Sequence, residues 1–243
     1  MSKVYLVGVG PGGEGYITDI ARRLIEKADI VVGYRHTLNV VRDILNGIDG
    51  YSNDKTGKDV RIITLKTQDE VYTQIIDDLK GKDKVCCILF TGDPDFSESE
   101  IVDKLLALFT GNGVEVEIIP GISSIQVAAA RSKVAIDKSV LITFHITGSI
   151  DREKDALVNA LRARRSVILL PRPWDFMPQH IAMFLIEQGI DAKSFNIDIY
   201  ENLTLSNERI TRCTLADIPD REYSDLCVMV VKPMVIKPMQ VNQ

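Results

Sequence analysis

Short apolar runs alternate along the chain with longer stretches in which apolar residues return every three or four positions. That rhythm belongs to a protein alternating strands with helices. In the first half, apolar runs at 4–9, 30–33, 60–65, 84–91 and 114–119 predict strands, and the segments 17–27, 37–46, 68–79 and 97–110 carry the helical period. The run Val85-Cys86-Cys87-Ile88-Leu89-Phe90 has no polar residue at alternate positions. It therefore predicts a central parallel strand covered on both faces. The second half restarts the pattern, with strands expected at 140–146, 166–170, 195–200 and 226–231. Helices are expected at 151–164, at 177–188 and around 122–131. No long helical period follows Tyr200, so this half is expected to end in antiparallel strands. The fold class is α/β, with two α/β domains, 1–119 and 120–243, dividing at Pro120-Gly121. No low-complexity linker separates them, which predicts closely packed halves and a ligand cleft between them.

Composition narrows the function. The 243 residues are 45% hydrophobic and 26% charged, ordinary globular values that exclude disordered and fibrous chains. A formal net charge of −5 argues against a nucleic-acid partner. No segment approaches the roughly 18 consecutive apolar residues of a membrane span. Met1 to Tyr5 lead straight into the first strand without a signal-peptide pattern, so a cytoplasmic protein with no membrane partner is expected. The cysteines Cys86, Cys87, Cys213 and Cys227 form no C-x-x-C pair, and neighbours in a strand face opposite ways; buried, reduced thiols are expected. His36, His145 and His180 share no ligand spacing with them, and no metal is expected.

Three loops carry the candidate chemistry. Gly8-Val9-Gly10-Pro11-Gly12-Gly13 matches G-x-G-x-x-G between a strand and a helix, the dinucleotide fingerprint. Pro11 removes a backbone donor from that loop, Glu14 would repel a phosphate, and no acid ends the second strand. The glycines then mean either close backbone approach to another ligand or a turn shaped only by packing. Thr91-Gly92-Asp93-Pro94-Asp95-Phe96-Ser97 leaves the most apolar strand, where open sheets place ligands. Asp93 could accept hydrogen bonds from an amine or ribose hydroxyl, while Asp95 or Ser97 could simply cap the next helix. Pro120-Gly121-Ile122-Ser123-Ser124-Ile125 opens an alanine-rich helix and lacks the last glycine of a nucleophile elbow. Arg35, His36, Arg131 and Arg172 stand at element ends beside these motifs and could receive a polyanionic substrate.

Together the three loops, in this order, resemble the tetrapyrrole methylases, with the likeness extending over nearly the whole chain. Val7 to Gly12 match that family's glycine-proline loop, Gly92-Asp93-Pro94 its Gly-Asp-Pro turn, and Pro120 to Ser124 its Pro-Gly-x-Ser-Ser. Ala28-Asp29 through Gly33, Arg35, the stretch Ser123 to Arg131, and Tyr200-Glu201-Asn202-Leu203 with Glu208 are most similar to the branch that methylates C5 of cobalt-precorrin-7 in cobalamin synthesis. The resemblance implies S-adenosylmethionine as cofactor, S-adenosylhomocysteine as product and no metal. It implies cofactor contacts at Pro11, Gly92, Asp93, Phe96, Ser124, Ile125, Leu170 and Leu203. Gly10 and Gly12 would line the macrocycle side, with Arg35, His36, Arg131 and Arg172 receiving peripheral carboxylates. A homodimer is implied, with a decarboxylating C15-methyltransferase as a functional partner. Methylation at another ring position, methylation of a protein histidine derivative, a nicotinamide oxidoreductase and a non-catalytic tetrapyrrole carrier are the alternatives.

Overall fold

The computed structural model describes residues 2–45, 58–96 and 98–234. The chain forms two units, Met1–Ser124 and Ile125–Gln243. The division falls a few residues beyond the 119/120 boundary expected from the pattern, at the start of a helix.

The first unit is built on five parallel strands, β1 (Lys3–Gly8), β2 (Ile30–Tyr34), β3 (Asp59–Ile63), β4 (Val85–Phe90) and β5 (Glu115–Ile119), in the order β3-β2-β4-β1-β5. Its helices are α1 (Asp19–Lys27), α2 (Arg35–Val40), α3 (Gln68–Leu79) and α4 (Ser99–Gly111). Thr18 caps α1, its hydroxyl accepting from the Ala21 N–H at 3.3 Å. β4 lies at the centre, and its consecutive cysteines separate the two layers. Cys86 joins the core under α3 and α4 with Tyr72, Ile75, Leu105 and Phe109. Cys87 joins the core under α1 and α2 with Ala21, Ile25 and Leu38. Burial raises the Cys86 thiol well above its ordinary value and pushes Cys87 up to about 12, so both are inert protonated thiols. The chain leaves β1 for one side of the sheet and β4 for the other. The carboxyl ends of β1 and β4 therefore form the point where strand order reverses, the favoured ligand position of an open α/β sheet.

Several element ends differ from expectation, those of β3 and α2 among them. β3 stops at Ile63 because the Thr64 N–H donates to Thr67 Oγ1 at 3.0 Å and turns the chain, leaving Leu65 exposed. α2 is a short helix ending at Val40 and continuing as a turn; residue 46 of the expected helix lies outside the described residues, as does Ser97.

The second unit contains all but the first residue of α5 (Ser124–Ser132), with α6 (Asp151–Arg162) and α7 (Pro178–Glu187). Its strands are β6 (Ser139–Thr143), β7 (Ser166–Leu170), β8 (Phe195–Glu201), β9 (Arg209–Thr214) and β10 (Cys227–Pro233), in the order β6-β7-β10-β8-β9. Among the described residues β6 and β7 run parallel, and β10, β8 and β9 are joined antiparallel. α6 and α7 bury one face through Leu157, Leu161, Ile181 and Leu185 against Val167, Ile197, Met229 and Val231. On the other face the Ser132 hydroxyl, at the end of α5, donates to Asp198 at 2.6 Å and meets the Tyr200 hydroxyl at 2.9 Å. β9 was not among the expected strands.

Candidate functional site

Three loops meet at the carboxyl edge of the first sheet. The loop after β1 and the loop after β4 join through a two-way bridge: the Gly92 N–H donates to the Gly10 carbonyl at 2.8 Å, and the Gly10 N–H to the Gly92 carbonyl at 3.3 Å. Gly10 and Gly92 sit at φ +84° and +72°, where a side chain would strain the backbone. The loop after β5 presses on both. A Cβ on Gly121 would lie 2.1 Å from the Gly92 carbonyl oxygen, and one on Gly8 would lie 2.6 Å from that same oxygen and from the Gly121 nitrogen. These glycines bring three backbones closer together than any side chain would allow.

Asp93 ties the arrangement. Its Oδ2 accepts from the Gly121 N–H at 2.9 Å and its Oδ1 from the Asp95 N–H at 2.9 Å. One carboxylate oxygen thus holds a second loop in place. A carboxylate offers about four lone-pair sites, so acceptor capacity for a ligand remains. Pro11 and Pro94 are buried within these loops, Phe96 is half-buried, and its N–H donates to the Asp93 carbonyl at 3.2 Å.

α2 brings polar groups to the same edge. Thr91 Oγ1 lies 3.1 Å from His36 Nε2 and 3.1 Å from the Thr37 hydroxyl, and the His36 ring stacks on Tyr34. Desolvation lowers the His36 pKa below its ordinary value and favours a neutral ring. Arg35, beside it, is exposed. The first unit thus brings Gly10, Pro11, Gly12, Gly92, Asp93 and Phe96 onto adjoining loops with His36 of α2 beside them, and Ser124 is its last position. Reading the sequence missed Thr91, which links α2 to the β4 loop, and the partnership of Gly8 with Gly121. A glycine ending an apolar strand is the only signal either gives.

The remaining expected residues belong to the second unit. Ile125, Leu170 and Leu203 are buried. Arg131 is ion-paired with Glu208. The Arg172 guanidinium makes two bonds to Asp175, one of them at 2.8 Å, and a third to the Gly148 carbonyl at 2.9 Å. Both arginines thus already hold a carboxylate of their own chain. His145, also missed, lies just past β6. Its Nε2 is buried with no partner among the described residues, and burial lowers its pKa although the Pro171 carbonyl opposes the shift. Among the described residues no three His, Cys, Asp or Glu side chains are grouped to hold a metal ion, and no helix is long and apolar enough to cross a membrane.

The profile of the tetrapyrrole (corrin/porphyrin) methylases matches residues 3–219. The chain belongs to the tetrapyrrole methylase family. Membership makes it a methyltransferase of the S-adenosylmethionine-dependent kind, with the two-domain α/β fold of its relatives. Among these methylases it is 34% identical to a Methanocaldococcus jannaschii protein named "Probable cobalt-precorrin-7 C(5)-methyltransferase", over 93% of this chain and 96% of that one. It is 28% identical to the uroporphyrinogen-III C-methyltransferase of Methanobacterium ivanovii, over 94% of this chain and 96% of that one. The fold matches that of the methyltransferase CobJ at a TM-score of 0.75 and 16% identity, covering 96% of this chain and 95% of that one. It also matches a cobalamin-biosynthesis precorrin-6Y methylase from Archaeoglobus fulgidus at 0.65 and 24%, covering 96% and 99%.

Proposed function

We propose that this tetrapyrrole methylase transfers a methyl group from S-adenosylmethionine to C5 of cobalt-precorrin-7 in cobalamin biosynthesis. The observation that carries the substrate is the 34% identity across nearly the full length of the Methanocaldococcus jannaschii relative. The loop geometry supports the cofactor. A cationic sulfonium suits the Asp93 carboxylate, and the close backbone packing at Gly8 and Gly121 fixes the loops around it. Pro11, Gly92, Asp93, Phe96, Ser124, Ile125, Leu170 and Leu203 would hold it. When bound, it supplies an electrophilic methyl group to an electron-rich ring carbon and leaves as S-adenosylhomocysteine.

The chain's own work in this reading is orientation and exclusion of water. Asp93 accepts from the donor's amine or ribose hydroxyls while keeping the Gly121 loop in register. Gly10 and Gly12 border the macrocycle, and Arg35 and His36, at the carboxyl edge of the first sheet, receive its carboxylates; Arg131 and Arg172 are paired with Glu208 and Asp175. In this reading the protein works in the cytoplasm as a homodimer, with a decarboxylating C15-methyltransferase as its functional partner. Incubation with labelled S-adenosylmethionine and a panel of precorrins, followed by mass spectrometry and NMR of the product, tests the reading. Label at C5 is expected. Label only on uroporphyrinogen III, or at another ring position, would replace it.

A further inference from the structure

The turn after β8 is held in a conformation its own residues disfavour. Asn202, Leu203, Thr204 and Leu205 close it through the Leu205 N–H, which donates to the Asn202 carbonyl at 2.9 Å. Thr204, the third residue, sits at φ +74°, and Asn202 at φ +51°. Asparagine tolerates the left-handed region, whereas a β-branched residue there is an outlier. A turn with positive φ at its third position ordinarily carries glycine. This chain carries restraints instead. The Thr204 N–H donates to Glu208 Oε2 at 2.7 Å, and the other oxygen of Glu208 accepts from Arg131 at the end of α5. From the far side, the Asn202 N–H donates to the Leu226 carbonyl at 2.8 Å, and the Ser224 hydroxyl donates to the Asn202 side-chain oxygen at 2.8 Å. Leu203, between the two left-handed residues, is 3% exposed. Backbone strain of this kind persists where the surroundings over-determine it, and it clusters at ligand clamps.

We infer that Glu208 is a positioning residue of the methyl-transfer reaction: it holds Thr204 in the left-handed conformation and so sets Leu203 and the turn backbone against the methyl donor. The inference rests on the reading of Leu203 as a cofactor contact. Arg131 then serves this turn, by fixing Glu208, and not a substrate carboxylate.

Calorimetric titration with S-adenosylmethionine, alongside ligand-free melts, tests it on the full chain. Glu208→Ala is expected to weaken binding about tenfold, in line with the cost of releasing one strained residue. Adding Thr204→Gly is expected to bring affinity back to within about threefold of wild type, because glycine holds positive φ without a tie. A purely structural Glu208 would lower the melting midpoint in both variants and leave affinity unrecovered, which overturns the inference. So does an unchanged affinity in Glu208→Ala. Should that variant fail to fold, Glu208→Gln keeps an oxygen for the Thr204 amide while giving up the charge paired with Arg131. A loss in that variant that Thr204→Gly recovers supports the inference, and any other result overturns it. Wild type that does not bind S-adenosylmethionine would instead refute the proposed function, so the two failures are distinct.

Discussion

Asp93 concentrates the chemistry of single residues in this protein. It follows a strand with no polar alternation, Pro94 restricts its backbone, and its carboxylate accepts one N–H from its own turn and one from Gly121. Asp93→Asn keeps the size and one acceptor oxygen but removes the charge and one of the two acceptors. We expect S-adenosylmethionine affinity to fall about 10- to 100-fold, the range for hydrogen bonds to charged groups. We also expect a ligand-free loss of about 1 kcal/mol, because the bond to Gly121 is partly buried and charge-assisted. Calorimetric titration and urea melts measure the two effects, and unchanged affinity would leave Asp93 as a loop tie alone. Arg172 presents the opposite balance. It is 9% exposed and its guanidinium makes three bonds to Asp175 and Gly148, so Arg172→Ala should cost about 1–3 kcal/mol in urea melts and leave macrocycle KM nearly unchanged. A raised KM with unaltered stability would make it a substrate residue.

Among elements, the antiparallel end of the second sheet is pinned by one carboxylate. Glu201, the last residue of β8, has no exposed surface, yet its cover is polar: Arg209 of β9, Arg221 and the Ser224 N–H all donate to it. Burial alone would raise its pKa, but the two guanidiniums and the backbone amide outweigh that and hold it at about 2, against an ordinary 4.5. A depressed folded pKa contributes stability that is fully present above 4.5 and is lost as pH falls toward about 2. The contribution is about 3 kcal/mol. Urea melts of wild type and Glu201→Gln should therefore differ clearly near neutral pH and converge on acidification through that window. A gap that does not change with pH would show that the network contributes through shape and not charge. β9 itself escaped the sequence pattern because an edge strand buries little: Arg209, Ile210 and Arg212 are exposed, and no apolar alternation survives.

For the whole molecule, the proposed homodimer has apolar surface available for association in exposed residues such as Trp174, Met183 and Ile186. Sedimentation at micromolar concentration is expected to show a species of twice the 27.1 kDa chain mass. A single 27.1 kDa species would count against assembly.

The succession of strands and helices other than β9, the central place of β4, the inert cysteines on opposite faces and the three motif loops were all legible in the chain. Each depends on what a residue's near neighbours do: periodicity reports which faces are buried, and glycine or proline reports where the backbone must turn. Strand order, by contrast, depends on crossovers between distant segments, and it alone puts the ends of β1, β4 and β5 side by side. The partners that follow from it were not readable in advance. Asp93 meets Gly121, Arg131 meets Glu208, and Glu201 meets Arg221 across separations that carry no periodic signal. Two arginines expected to face a polyanion are paired with carboxylates of their own chain, because a charge in a sequence shows what could be attracted, and only the folded backbone decides which opposite charge lies nearest.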